Sequence, residues 1–262
     1  MELNEMNYFS HEADMAYFSA SQVKSFRKCE ACTMAELNGQ YLRPMSQALM
    51  IGQYVDAALT GDLDEWCGCH PEIKKRDGTL KAKFLQASEM VGRANRDPLF
   101  MDFMEGDHQT ILKAPILGGY LFKAKFDVLG ADRIVDLKTV RDFSPVYLPG
   151  QGRVDFATAW DWPLQMAIYQ KIYEQVKGVT LPCYLAVITK ENPPDIRIVQ
   201  VEQERMDAEI ALLEQQLPRF EAVKSGAIDP ERCEGCAWCR QSRVLMGPEL
   251  LGDMEEGGNI HE

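Results

Sequence analysis

Within residues 119–140, which read GYLFKAKFDVLGADRIVDLKTV, Asp127, Asp136 and Lys138 are spaced so that two carboxylates and one ammonium can meet at one point. The spacing predicts two short strands joined by a turn at Gly130-Ala131-Asp132, with Asp127 on the first strand and Asp136 and Lys138 on the second. Residues two apart on a strand share a face. Asp136 and Lys138 therefore project together, while Val135 and Leu137 point the other way, into a core. If the two strands pair, Asp127 reaches the same point. Such a set suits a hydrated divalent cation beside a phosphodiester. Mg²⁺ takes hard oxygen ligands and keeps several waters, so one or two carboxylates and a substrate phosphate satisfy it. A bound dication acidifies water and neutralises phosphoryl charge. A neighbouring Lys can orient the water, help deprotonate it, or stabilise the pentacovalent transition state. On spacing alone the triplet also fits a hairpin with solvated charges.

Two further spacings narrow the choice. Trp162 opens a predicted helix on which Gln165 and Tyr169, four residues apart, share a face. Gly52 and Asp56 are spaced in the same way on an earlier predicted helix. Taken in order, Gly52/Asp56, Asp127, Asp136/Lys138 and Gln165/Tyr169 resemble the motifs of the PD-(D/E)XK nuclease superfamily, in its RecB-like and RecE-like branch, over roughly residues 19–240. The resemblance implies a restriction-endonuclease-like α/β core, a central mixed β-sheet flanked by helices, with an added N-terminal helical part. It implies Asp127, Asp136 and the Leu137 carbonyl as ligands of Mg²⁺ or Mn²⁺, Lys138 as the catalytic lysine, and Gln165 and Tyr169 as residues that shape the site and contact the DNA backbone. Asp56 stands where many relatives carry His; it still ligates a hard cation but adds negative charge.

In function the resemblance implies a metal-dependent deoxyribonuclease. The expected activity is that of an exonuclease working on duplex ends, 5′→3′, in phage-type recombination or repair, beside a single-strand annealing protein. Ring-shaped homo-oligomers occur among such relatives. The competing reading is a non-catalytic nucleic-acid or protein-binding module on a nuclease scaffold. An iron–sulfur redox protein is a third, and it leaves Gln165, Tyr169 and the hairpin unexplained.

The chain has 8 Cys. Cys233, Cys236 and Cys239 follow a C-x2-C-x2-C pattern, a pitch at which three thiolates can fold around one metal or cluster. Cys29 or Cys32 can supply a fourth ligand. Some RecB-like relatives hold a [4Fe–4S] cluster with one Cys before the nuclease core and three beyond it, and this chain has that layout, with Cys29 best placed. Structural Zn²⁺ and unligated thiols remain alternatives. Cys67 and Cys69, beside His70, read as surface-loop thiols, and Cys183, in an apolar run, as a small buried hydrophobe.

Positioning these residues requires a full core, and a 46% hydrophobic composition can build one. The pattern predicts helices over 21–38, 46–59, 81–96, from Pro98, over 156–176 with an interruption near Pro163, and over 203–224. Strands are expected at 109–115, 120–129, 133–139, 183–189 and 196–201. Residues 1–246 read as one nuclease domain, helical over 19–104 with the core at 105–240. Residues 145–154 read as linker-like and 247–262 as a disordered tail. There is no leader-like start and no apolar run near 18 residues, which points to a reducing cytoplasmic setting and no membrane partner. A net charge of −12 argues at first against DNA. Local fields decide phosphate binding, however, and three basic clusters stand out: Lys24, Arg27 and Lys28; Lys74, Lys75, Arg76, Lys81 and Lys83; and Lys123, Lys125 and Arg133.

Overall fold

A computed structural model describes residues 2–245 and 247–248. The helices are α1 (His11–Ala16), α2 (Ala20–Lys28), α3 (Glu30–Leu37), α4 (Gln47–Thr60), α5 (Leu63–Cys69), α6 (Ala82–Asn95), α7 (Pro98–Phe103), α8 (Phe156–Ala159), α9 (Trp162–Lys177), α10 (Gln203–Lys224) and α11 (Ala237–Gln241). The strands are β1 (Asp107–Ile116), β2 (Tyr120–Leu129), β3 (Ile134–Val140), β4 (Val146–Leu148), β5 (Gly152–Val154), β6 (Cys183–Thr189) and β7 (Ile196–Gln200). The described residues divide into two compact units: those up to Ala20 with Pro44–Glu214, and Ser21–Arg43 with those from Gln215 onward.

The first unit holds a five-stranded mixed sheet in the order β1-β2-β3-β6-β7. Only β3 and β6 are parallel; the other pairs are antiparallel. β6 is buried along nearly its whole length, as a central strand must be. Helix α4 starts where the Ser46 hydroxyl accepts the Leu49 N–H at 3.1 Å, replacing a bond the first turn lacks. Its Ile51, Tyr54 and Val55, at helical spacing, pack with Phe84 and Met90 of α6 and with Val135 and Leu137 of β3. Helix α9 packs on β1 and β2, with the Phe126 and Tyr169 ring centroids 4.7 Å apart. The expected architecture of a mixed sheet flanked by helices is therefore the one observed.

One irregularity makes the site. The β2–β3 ladder contains only Val128↔Val135 and Leu129↔Ile134. Continued by one pair, that register would set Asp127 opposite Asp136, and two pairs further on, Lys125 opposite Lys138. Like charges directly opposite destabilise a ladder, and here the strands part. The first half of β2 bonds instead to Phe18, whose N–H donates to the Leu121 carbonyl at 2.8 Å and whose carbonyl accepts the Lys123 N–H at 2.8 Å.

The second unit contains α3, α11 and most of α2, along with the end of α10. The Phe26 and Phe220 rings stack at 5.2 Å. The buried Glu30 carboxylate accepts Arg219 Nε and Nη2, at 2.6 and 2.7 Å, and the Glu231 N–H at 2.8 Å.

Some elements depart from expectation. The helix predicted over 21–38 breaks at Cys29, which is extended (φ −168°) and whose sulfur caps α3 by accepting the Cys32 N–H at 3.4 Å. The linker-like stretch at 145–154 is the β4–β5 hairpin. Helices α1, α5 and α11 are too short to leave a periodic signal. The tail expected at 247–262 lies, beyond residue 248, outside the described residues. No helix among the described residues is long and apolar enough to cross a membrane.

Candidate active site

Asp136 and Lys138 face α9, as the alternation of β3 requires, but they are not at the surface. Asp136 is 1% exposed and Lys138 19%, and the ammonium pairs directly with Asp136 Oδ2. The other oxygen, Oδ1, accepts Gln165 Nε2 at 2.8 Å, and the same Nε2 lies 3.3 Å from the Tyr169 hydroxyl. That hydroxyl donates to the Lys125 carbonyl at 3.0 Å. Gln165 and Tyr169 thus stack on one face of α9 and reach a strand each, β3 and β2. Tyr169 is buried, with its hydroxyl turned inward to the Lys125 carbonyl. The indole of Trp162 lies beneath the ammonium, its centroid 5.8 Å from Lys138 Nζ.

Asp127 crosses the gap between β2 and β3: its Oδ2 accepts the Leu137 N–H at 2.9 Å. In an extended strand a residue's N–H and C=O point to the same edge, so the Leu137 carbonyl faces that gap too. Asp56 enters from α4. Its Oδ2 accepts Gln109 Nε2 at 3.0 Å, and its Oδ1 is buried without a hydrogen-bond partner. Gly52, one turn earlier, lies against Thr139 of β3.

The electrostatics are those of a crowded acid cluster. Burial, reinforced by Asp136, pushes Asp56 up to about 6, against the pull of Lys125. Burial and then the Asp136 charge raise Asp127 well above the ordinary carboxylate range. Burial on its own would lower the Lys138 ammonium; Asp136 and Asp127 outweigh it and raise it. Burial, then Asp136 and Asp127, raise the Tyr169 phenol well above its usual value.

Two residues of this site carried no signal in the sequence. Gln109, on β1, is left-handed at φ +53° although it is not glycine, and the β1–β2 ladder skips it at the position facing Asp127. Strain of this kind persists where surrounding structure imposes it, commonly at functional sites. Its neighbour His108 keeps a buried Nδ1 without a hydrogen-bond partner, and its charge acts on Asp56. Only the register of β1 against β2 brings either residue here.

In the second unit the sulfurs of Cys29, Cys233, Cys236 and Cys239 all lie within 4.8 Å of one another and could hold a metal ion. Cys29 and Cys239 approach to 3.5 Å, and Cys233 and Cys239 to 4.0 Å. Backbone N–H groups of Cys32, Cys236 and Cys239 donate to the sulfurs of Cys29, Cys233 and Cys236 at 3.3–3.4 Å. The fourth member is Cys29; Cys32 contributes its N–H. Burial raises Cys29 and lifts Cys239 to about 12. Burial also opposes ionisation of Cys236, yet hydrogen bonds from the Cys239 N–H and neighbouring thiols draw it down to about 7.

A sequence profile of the family described as "PDDEXK-like domain of unknown function (DUF3799)" matches residues 19–242. Among solved structures, the crystal structure of a "Putative exonuclease" from Eubacterium rectale is 36% identical in sequence. The likeness covers 99% of this chain and 100% of that one, with a TM-score of 0.94. No curated protein matches the chain.

Proposed function

This chain belongs to the PDDEXK-like family, and on that premise we propose that it is a divalent-metal-dependent deoxyribonuclease, an exonuclease acting on duplex ends in phage-type recombination or repair. The observation that carries the reading is the convergence at one break in the β2–β3 ladder. The Asp136–Lys138 ion pair is held there by Gln165, with Asp127 locked onto the Leu137 N–H one residue away.

The residues fit Mg²⁺ or Mn²⁺. The donors are hard oxygens from Asp56, Asp127, Asp136 and the Leu137 carbonyl. Asp56 Oδ1 is an orphaned buried acceptor, and Asp136 Oδ2 faces only an ammonium. Crowded carboxylates that drive up their own proton affinity are short of positive charge, which a dication supplies. When bound, it would polarise the phosphoryl oxygens and acidify water.

The chain's own groups do the rest. Lys138, kept protonated by Asp136 and Asp127, donates to a phosphoryl oxygen as charge grows on it, and Trp162 shields one side of that ammonium. Gln165 fixes the Asp136 rotamer, and Tyr169 ties α9 to β2, so the carboxylates meet the substrate without rearrangement. Water adds to phosphorus, a P–O ester bond breaks, and the proton of the water leaves with solvent or the departing alkoxide.

The test uses end-labelled linear and covalently closed circular DNA, with Mg²⁺ and with chelator. Loss of label from linear DNA alone, abolished by chelator and by Lys138→Ala in a folded variant, is expected. Cleavage by Lys138→Ala at the wild-type rate would remove the catalytic assignment.

We infer further that the four cysteines hold metal. A single tetrahedral ion with metal–sulfur bonds of about 2.3 Å sets its sulfurs about 3.8 Å apart. The observed spread supports one zinc-class ion over an iron–sulfur cluster, which places several irons between the thiolates and calls for a wider cage.

A further inference from the structure

The three basic clusters of the sequence have different fates. Lys123 is 1% exposed and pairs with Asp14 at 2.6 Å. Arg133 pairs with Asp102 and lies over the Phe103 ring. Arg27 donates to Gln216. The run from Lys74 to Lys83 is different: Lys74, Lys75, Arg76, Lys81 and Lys83 are all exposed, and among the described residues none of the five is in an ion pair.

The backbone presents them as a ribbon. Lys74 bridges Leu80, the Lys75 N–H donates to the Thr79 carbonyl at 2.7 Å, and the Lys81 N–H donates to the Ile73 carbonyl at 2.9 Å. The carboxylate at the tip, Asp77, is turned back onto its own loop, accepting the Thr79 N–H at 2.9 Å and hydroxyl at 2.6 Å, and is in no ion pair with the lysines. Ile73 is fully buried in the core that contains Ile51 and Val55 of α4 and Leu137 of β3. The ribbon is therefore mounted on the elements that carry Asp56 and Lys138.

The cationic run continues toward the site. Lys83 acts electrostatically on Lys190, which burial and that neighbour together hold below the ordinary lysine value. Lys190 follows β6, and its N–H donates at 2.8 Å to the carbonyl of Val140, the last residue of β3 and two beyond Lys138. Unpaired cations gathered near the end of β3, on a chain of net charge −12, repel one another and so add nothing to folding stability. They match a polyanion.

We propose that residues 73–83, with Lys190, form a sequence-independent grip on the sugar–phosphate backbone of the DNA leading to the Lys138 site. The proposal rests on the nuclease reading and specifies how an acidic protein holds its substrate.

The test measures binding of a fluorescein-labelled DNA duplex by anisotropy, with chelator present so that nothing is cleaved, over a range of KCl. The full chain is compared with a combined Lys74→Gln, Lys75→Gln, Arg76→Gln, Lys81→Gln, Lys83→Gln variant. Each lost phosphate contact removes about 0.9 from the slope of log affinity against log salt, so the variant should be shallower by about 2–4. Mn²⁺-dependent hydrolysis of bis(p-nitrophenyl) phosphate, which has no backbone to grip, should stay within about twofold of wild type on the same argument. A variant with the wild-type slope overturns the grip while leaving the nuclease reading intact. A wild-type protein that neither binds nor cuts the duplex overturns both.

Discussion

Gln109 shows how a side chain can define a site that its own spacing does not announce. Asp136, Lys138, Gln165 and Tyr169 are legible because each pair obeys a local period, two on a strand and four on a helix. Gln109 and His108 depend on which strand β1 meets and in what register, a long-range fact. If Gln109 is held left-handed in order to aim its amide at Asp56 Oδ2, glycine at this position releases strain and alanine does not. Gln109→Gly should be more stable in urea than Gln109→Ala by about 1 kcal/mol, while both bind Mn²⁺ several-fold more weakly in calorimetry. Equal stabilities would show that the backbone there is unstrained. The acids make a second prediction. Asp56 is pushed from 3.8 to about 6, so between those values the folded protein holds a proton that the unfolded chain has released. Its contribution to metal-free stability therefore falls as pH rises through that window, and Asp127 acts in the same direction. On the proposed reading Mn²⁺ would compete with those protons. It should raise the melting temperature at about pH 7.5 and do so much less at about pH 5; an equal gain at both would remove the carboxylates from the metal site.

At the scale of elements, the sheet was legible almost strand by strand, since alternation and the apolar β6 run are local patterns. The break at Cys29 and the short β4–β5 hairpin were not. The first depends on a sulfur caught in a cap, and the second has too few residues to show a period. Two glycines separate motif from mechanics. A Cβ on Gly106, before β1, would meet the Leu129 carbonyl oxygen at 2.4 Å, at a φ of +149°. Gly106→Ala should therefore destabilise by roughly 3 kcal/mol or more in urea melts, shifting the strand that carries Gln109. A Cβ on Gly52, the motif glycine, meets Thr139 Oγ1 at an ordinary 3.8 Å. Gly52→Ala should be stabilising by about 0.5–1 kcal/mol, the normal gain inside a helix. If that variant is stable yet inactive on DNA, the space over Gly52 is occupied by substrate and not by the protein.

For the whole molecule, the cysteine cage joins two segments some two hundred residues apart in sequence, within the unit formed by Ser21–Arg43 and the chain from Gln215. Among the described residues that unit has few buried large side chains beyond Phe26, Leu217, Phe220 and Val223, together with the Glu30–Arg219 pair. A clip that closes a long loop removes much unfolded-state entropy. Without an ion, burial keeps Cys29 and Cys239 as neutral thiols, while Cys236 is drawn down to about 7. Binding therefore releases protons, and acid should strip the metal. The purified chain should carry one zinc per molecule, colourless and with no iron absorbance. Cys236→Ser should lose it, and hydrogen exchange should then quicken across residues 21–43 and 215–245 while the sheet strands β3 and β6 stay protected. A brown protein with several irons would replace the single ion by a cluster. Unchanged exchange in a metal-free Cys236→Ser variant would reduce the cage to packed thiols, and the stability of that unit would then have to come from the Glu30–Arg219 pair, the Phe26–Phe220 stack and the buried Leu217 and Val223.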